Sequence, residues 1–76
     1  MGNYSIRVIY DNGHAAANIK VFVSYGTFGG HDKDYTDSDG WVEFENYDND
    51  TASFIIEGVE YEDYDVSDGS SYSFTI

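Results

Sequence analysis

Apolar and polar residues alternate with a period of two along most of this chain, and short polar clusters interrupt the alternation every few residues. Tyr4, Ile6, Val8 and Tyr10 share one face of a first strand, with Ser5, Arg7 and Ile9 on the other. That period belongs to a pleated strand whose two faces meet different surroundings. Asp11-Asn12-Gly13 ends the strand, and His14 to Asn18 reads as a loop, because its three alanines are too few to nucleate a helix. The second strand, Ile19 to Tyr25, points Ile19, Val21, Val23 and Tyr25 one way and Lys20, Phe22 and Ser24 the other. A glycine-rich, acidic connection over residues 26–33 follows, and a short strand at residues 34–36 is expected to form a hairpin with residues 41–45.

Between those two strands lies Thr36-Asp37-Ser38-Asp39-Gly40, a tight acidic turn; beyond it Val42 and Phe44 alternate with Trp41 and Glu43. Residues 46–50 form another polar turn. Thr51 to Glu57 is apolar enough to run through the middle of a sheet, and Gly58 ends it. Residues 59–66 read as an edge strand or ordered loop. Tyr72, Phe74 and Ile76 give the last strand its common face. No stretch carries a helical apolar stripe. The pattern therefore predicts an all-β fold, a small two-sheet antiparallel β-sandwich of six to seven strands in one domain over residues 1–76. The expected core is Ile6, Val8, Val21, Val23, Val42, Phe44, Phe54, Ile56, Tyr72 and Phe74.

Composition changes this picture in two ways. The chain has no cysteine, so no disulfide supports a domain of 76 residues, and the aromatics, eight Tyr, five Phe and one Trp, must supply the core. Arg7, Lys20 and Lys33 stand against fifteen Asp and Glu, a net charge of −12. Three cations cannot build a phosphate-binding patch, so nucleic acid is excluded as a partner, and anionic membranes are repelled. No apolar run approaches the roughly 20 residues that span a bilayer, so no membrane insertion is expected. The acids are expected to keep exposed strand edges from pairing, and their excess also fits a salt-adapted surface. Location follows context: the cytoplasm for a complete chain, the cell surface or outside for a module of a longer one.

Asp11-x-Gly13, Ala15, Asn18, Val21-x-Val23 and Thr36-Asp37-x-Asp39-Gly40-x-Val42-x-Phe44, in that order, resemble the prealbumin-like (transthyretin-like) β-sandwich modules. Among these, the Cna-B-type repeats of bacterial surface proteins and the carboxypeptidase regulatory-like domains are the most similar by pattern. The resemblance covers residues 4–57 and implies an aligned two-sheet sandwich without enzymatic activity. Ala15 stands where that pattern usually has proline. Some Cna-B-type domains carry a Lys–Asn or Lys–Asp isopeptide bond. Here Lys20 faces away from the expected core and the final strand has no Asn, so no such crosslink is expected.

Four features carry candidate chemistry. Asp32, Asp34, Asp37 and Asp39 offer hard oxygen donors for calcium, or else a solvated turn whose carboxylates cap backbone N–H groups. His14 and His31 lack the spacing of a zinc site. Glu60 and Glu62 form a carboxylate pair, but a fold this small offers a glycosidase no pocket. Trp41, with Phe22 and Ile9, falls on outward strand faces. Together with Tyr47 they form a patch for a sugar ring, a peptide or a neighbouring domain, unless Tyr47, Tyr61 or Tyr64 covers it. The expected function is a non-catalytic module for display or protein–protein contact. Carbohydrate binding through Trp41, Phe22 and Tyr47, and calcium stabilisation through the Asp32–Asp39 loop, are the alternatives.

Overall fold

The computed structural model of the chain describes residues 2–26 and 29–76. Seven strands are present among these residues: β1 (Asn3–Ile9), β2 (Lys20–Ser24), β3 (His31–Tyr35), β4 (Trp41–Glu45), β5 (Thr51–Ile56), β6 (Val59–Asp65) and β7 (Ser71–Thr75). No helix occurs among the described residues. The strands form two packed sheets, one ordered β4-β1-β7 and the other β3-β2-β5-β6. All pairings are antiparallel except β1 with β7, which run parallel.

The alternation that predicts the strands also sets their burial. Tyr4, Ile6 and Val8 of β1, Val21 and Val23 of β2, Val42 and Phe44 of β4, and Phe54 and Ile56 of β5 all turn inward and are buried. Ala16, Ala52 and Val66 join them. Of the expected core, Tyr72 is half-buried, because its hydroxyl donates to the Asp65 carbonyl at 2.7 Å, at the rim. Tyr61 and Tyr64 of β6 face inward too. Their rings lie 4.4 and 5.4 Å from that of Phe74, so the edge strand closes one end of the core with aromatics.

Three expectations are corrected. Tyr10 is not on the buried face: it is 42 % exposed, because the chain has already turned. The turn is fixed where Tyr10 N–H donates to the His14 carbonyl and Gly13 N–H to that of Tyr10. The strand after the glycine-rich connection starts earlier, at His31, and pairs with β2 rather than β4. β4 belongs to the opposite sheet, paired with β1. The segment between them is therefore a crossing from one sheet to the other instead of a hairpin. Part of the expected connection, residues 27 and 28, lies outside the described residues.

Two buried polar side chains fix that path. Thr36 Oγ1 donates to the Ala16 carbonyl and accepts from Ile19 N–H at 2.9 Å. The Thr36 backbone also exchanges bonds with Ile19 and Asn18. This ties the end of β3 to the loop before β2, and so selects β2 as partner. Asn46 Oδ1 accepts from Gly2 N–H at 3.1 Å and Asp48 N–H at 3.0 Å, while its Nδ2 donates to the Val66 carbonyl at 2.9 Å. One side chain thus joins the start of the chain, the β4–β5 turn and the segment after β6. A third tie joins the two sheets. Tyr25 Oη donates to the Glu45 carbonyl at 2.8 Å, so the proton in its 2.7 Å bond with Tyr4 Oη comes from Tyr4.

Candidate functional site

Trp41 and Phe22 both face outward, as their strand positions predict, but from different sheets. Arg7 is the cross-strand partner of Trp41 on the outside of the β4-β1-β7 sheet. Phe22 sits between Lys33 and Ile55 on the outside of the β3-β2-β5-β6 sheet. The sandwich lies between them, so they do not share the single patch expected from sequence. Tyr47 is in neither place. It occupies the β4–β5 turn, 53 % exposed, with its ring 6.2 Å from Tyr25 and edge-on to it.

None of the three tyrosines expected as a cover reaches Trp41. The Arg7 guanidinium does, lying 5.7 Å from the indole centroid. An exposed cation–π contact of this kind contributes about 0.5–1 kcal/mol. Arg7 Nε is buried in that arrangement without a hydrogen-bond partner. One indole face is thus already taken by a side chain of the same sheet, which lowers its value as a platform for a sugar ring.

On the other sheet, Phe22 and Ile55 floor an open groove of about 460 Å³, bounded by Lys20, Glu57 and Gly58. The His31 ring stacks on Phe22 at 5.5 Å. Lys20 and Lys33, two of the three Lys and Arg residues of the chain, are on this face, because Lys33 pairs with outward Phe22 and Lys20 alternates with buried Val21. The groove floor is therefore apolar, with both lysines on this face and Glu57 at its border.

The four aspartates do not converge. Asp34 and Asp32 pair across to Val21 and Val23, which places both carboxylates toward the inner side of edge strand β3. Each accepts a hydrogen bond from the next residue's N–H, Lys33 for Asp32 and Tyr35 for Asp34, at 2.8 Å. Asp37 Oδ1 accepts from Asp39 N–H at 2.8 Å and Trp41 N–H at 3.0 Å, holding the turn into β4. Asp39 is exposed in that turn. Among the described residues no group of three or more His, Cys, Asp or Glu is arranged to hold a metal ion. His14 is exposed in the β1–β2 loop, away from His31 at the start of β3. Glu60 and Glu62 are exposed on β6, where repulsion from Glu60, helped by a hydrogen bond to it and by Asp63, raises the Glu62 pKa above its ordinary 4.5.

Sequence reasoning placed Asn46 in a polar turn and Thr36 at a strand end, but missed that both are buried. An Asn two residues before an Asp signals an Asx-turn, and Asn46 does accept from Asp48 N–H. Its contacts to Gly2 and Val66 join segments far apart in sequence, and no local signal marks them. Comparison with known protein families and with curated proteins finds no match to this chain. No helix among the described residues is long and apolar enough to cross a membrane.

Proposed function

We propose that this chain is a non-catalytic β-sandwich module of the prealbumin-like kind that works by protein–protein contact through the outer face of its four-stranded sheet. The observation that carries this reading is the open apolar groove over Phe22 and Ile55. Among the described residues no second layer covers that face, and Ile55 is 39 % exposed at its centre. Solvated apolar side chains such as Phe22 and Ile55 gain free energy when a partner covers them. The charges agree. An acidic partner approaching there meets Lys20 and Lys33 as well as Glu57, so it is repelled less than the net charge alone would impose.

The non-catalytic part rests on how the buried polar groups are used. Thr36, Asn46, Tyr4 and Tyr25 are all engaged in tying the backbone together. The sugar and calcium readings are less well supported, since Trp41, Phe22 and Tyr47 are on separate surfaces and the Asp37 carboxylate already holds two N–H groups.

The test compares three variants for co-purification from native cells, each first checked for an unchanged thermal melt. Phe22→Asp and Ile55→Asp put a charge in the groove, and Trp41→Ala alters the opposite face. Loss of the same bound protein in both groove variants, with retention in Trp41→Ala, is the expected result. The reverse pattern would move the contact to the β4-β1-β7 face and revive a role for Trp41.

A further inference from the structure

The sandwich has four edge strands, and they are not protected alike. β3 carries Asp32, Lys33 and Asp34, β4 carries Glu43 and Glu45, and β6 carries Glu60, Glu62, Asp63 and Asp65. β6 is also irregular, with a register shift opposite residues 52–54 and a positive φ of 62° at Asp63. These are the usual ways in which an exposed edge is kept from pairing. β7 has none of them. Ser-Tyr-Ser-Phe-Thr contains no charge, in a chain with eighteen charged residues of 76, and it pairs in regular register with β1 on one side only.

The ladder shows which backbone groups stay free. Ser5 N–H donates to the Ser70 carbonyl at 3.0 Å, and Ile76 N–H to that of Ile9 at 2.9 Å. With the register of Arg7 opposite Ser73, the parallel pattern turns the N–H and C=O of Tyr72 and Phe74 toward β1. Those of Ser71, Ser73 and Thr75 consequently point outward, away from the sheet. Across the sandwich from this row lies β6, which turns Tyr61 and Tyr64 toward β7, while Glu60 and Asp65, opposite Ile55 and Thr51, sit on the outer face of the other sheet. The Asp65 backbone carbonyl accepts the bond from Tyr72 Oη, and Tyr64 packs edge-on against Tyr72 at 5.0 Å.

We propose that the free edge of β7 accepts an extended, cationic segment of a partner protein as an added strand. The backbone of Ser71, Ser73 and Thr75 supplies the ladder, and the half-buried rings of Tyr61 and Tyr72 receive alternate small apolar side chains. The segment's Lys or Arg residues, between them, lie on the solvent side of the added strand, in the field of a molecule of net charge −12. The net charge selects the partner. A second copy would bring another net charge of −12 against the first, whereas a basic strand meets opposite charge. The site is separate from the Phe22–Ile55 groove, so either stands without the other.

The probe is a synthetic peptide of about nine residues, the length of a long strand, alternating Val or Thr with Lys. Amide hydrogen exchange of the whole chain is followed with and without it. Ser71, Ser73 and Thr75 amides exchange freely in the unbound protein and become protected on binding, while Tyr72 and Phe74 amides are protected throughout. A Glu-for-Lys version of the peptide gives no protection. Ser73→Pro removes one outward N–H and leaves the β1 ladder whole, so it keeps the fold and binds roughly tenfold more weakly. Ser73→Lys, which needs no backbone change, weakens the cationic peptide by like charge. Protection at other strands would overturn the proposal. So would equal binding of the acidic peptide, or concentration-dependent protection of Ser71, Ser73 and Thr75 without peptide, which would identify a second copy as the occupant.

Discussion

Gly40 shows how much one position can decide. It closes the Asp37–Gly40 turn with φ of 82°, a region that side chains other than glycine enter only at a cost. A Cβ there would sit 2.5 Å from the Val8 carbonyl oxygen and 3.3 Å from Ala16 N. Both are backbone atoms in the β1 ladder region, where Val8 N–H donates to the Gly40 carbonyl at 2.8 Å. Neither can move aside as a flexible side chain would. Gly13 has a similar φ of 86° but open space around it. Chemical denaturation should therefore find Gly13→Ala destabilising by roughly 1 kcal/mol, the conformational cost alone. Gly40→Ala should lose about 3 kcal/mol or more, a large part of the roughly 4–11 kcal/mol expected for a domain of this length. Equal losses would show that the close approach to Val8 does not matter. The Asp-x-Asp-Gly pattern made the turn legible in the sequence. The contact with Val8 was not, because it depends on which strand lies beside the turn.

At the scale of elements, the same division holds. β1, β2, β4, β5 and β7 were legible because their alternation is set by burial on one face. β3 was misread because His-Asp-Lys-Asp-Tyr has no apolar alternation, and its inner positions are aspartates at the rim. Its pairing with β2 follows from the Thr36 tie, which no local pattern reveals. The candidate site failed for a related reason: that Trp41 and Phe22 face outward is local, but which sheet each belongs to is topology. The link between sheets through Tyr4, Tyr25 and the Glu45 carbonyl gives a testable pH response. Burial, and the hydrogen bond from Tyr4 to Tyr25, push the Tyr4 pKa well above its ordinary 10, and burial raises that of Tyr25. In the unfolded chain both phenols ionise near pH 10, so the unfolded state releases protons first. Stability from this pair is complete below that pH and falls as pH rises above it. Tyr4→Phe should cost about 1 kcal/mol at neutral pH and flatten the alkaline decline in thermal melts. An alkaline profile as steep as that of the parent would place the sensitive groups elsewhere.

For the whole molecule, the balance of charge is the dominant stress. Fifteen acids against three bases occupy a body with extents of 36 × 23 × 16 Å. At an ionic strength of about 0.01 M the Debye length is about 30 Å, so acids across most of the molecule repel one another; at about 0.15 M it is about 8 Å, and only neighbours interact. Melting temperature should therefore rise mostly between these two concentrations, by about 4–8 °C for each kcal/mol of repulsion relieved. A further rise in molar sodium chloride would mark adaptation to salt beyond simple screening. The local counterpart is Glu62, whose carboxylate is opposed by Glu60 and Asp63 and has a raised pKa, while Asp65, accepting Ser67 N–H at 2.8 Å, has a lowered one. The signs differ. Protonating Glu62 favours the folded state, so its contribution grows as pH falls toward 4.5. The contribution of Asp65 is present above its ordinary 3.8 and is lost below it. At low salt, stability should then pass through a maximum on the mildly acidic side of neutrality. Glu62→Gln should raise stability at neutral pH and shrink the gain on acidification. A maximum at neutral pH in low salt, unmoved by that substitution, would mean that the acids of β6 are too well solvated to matter.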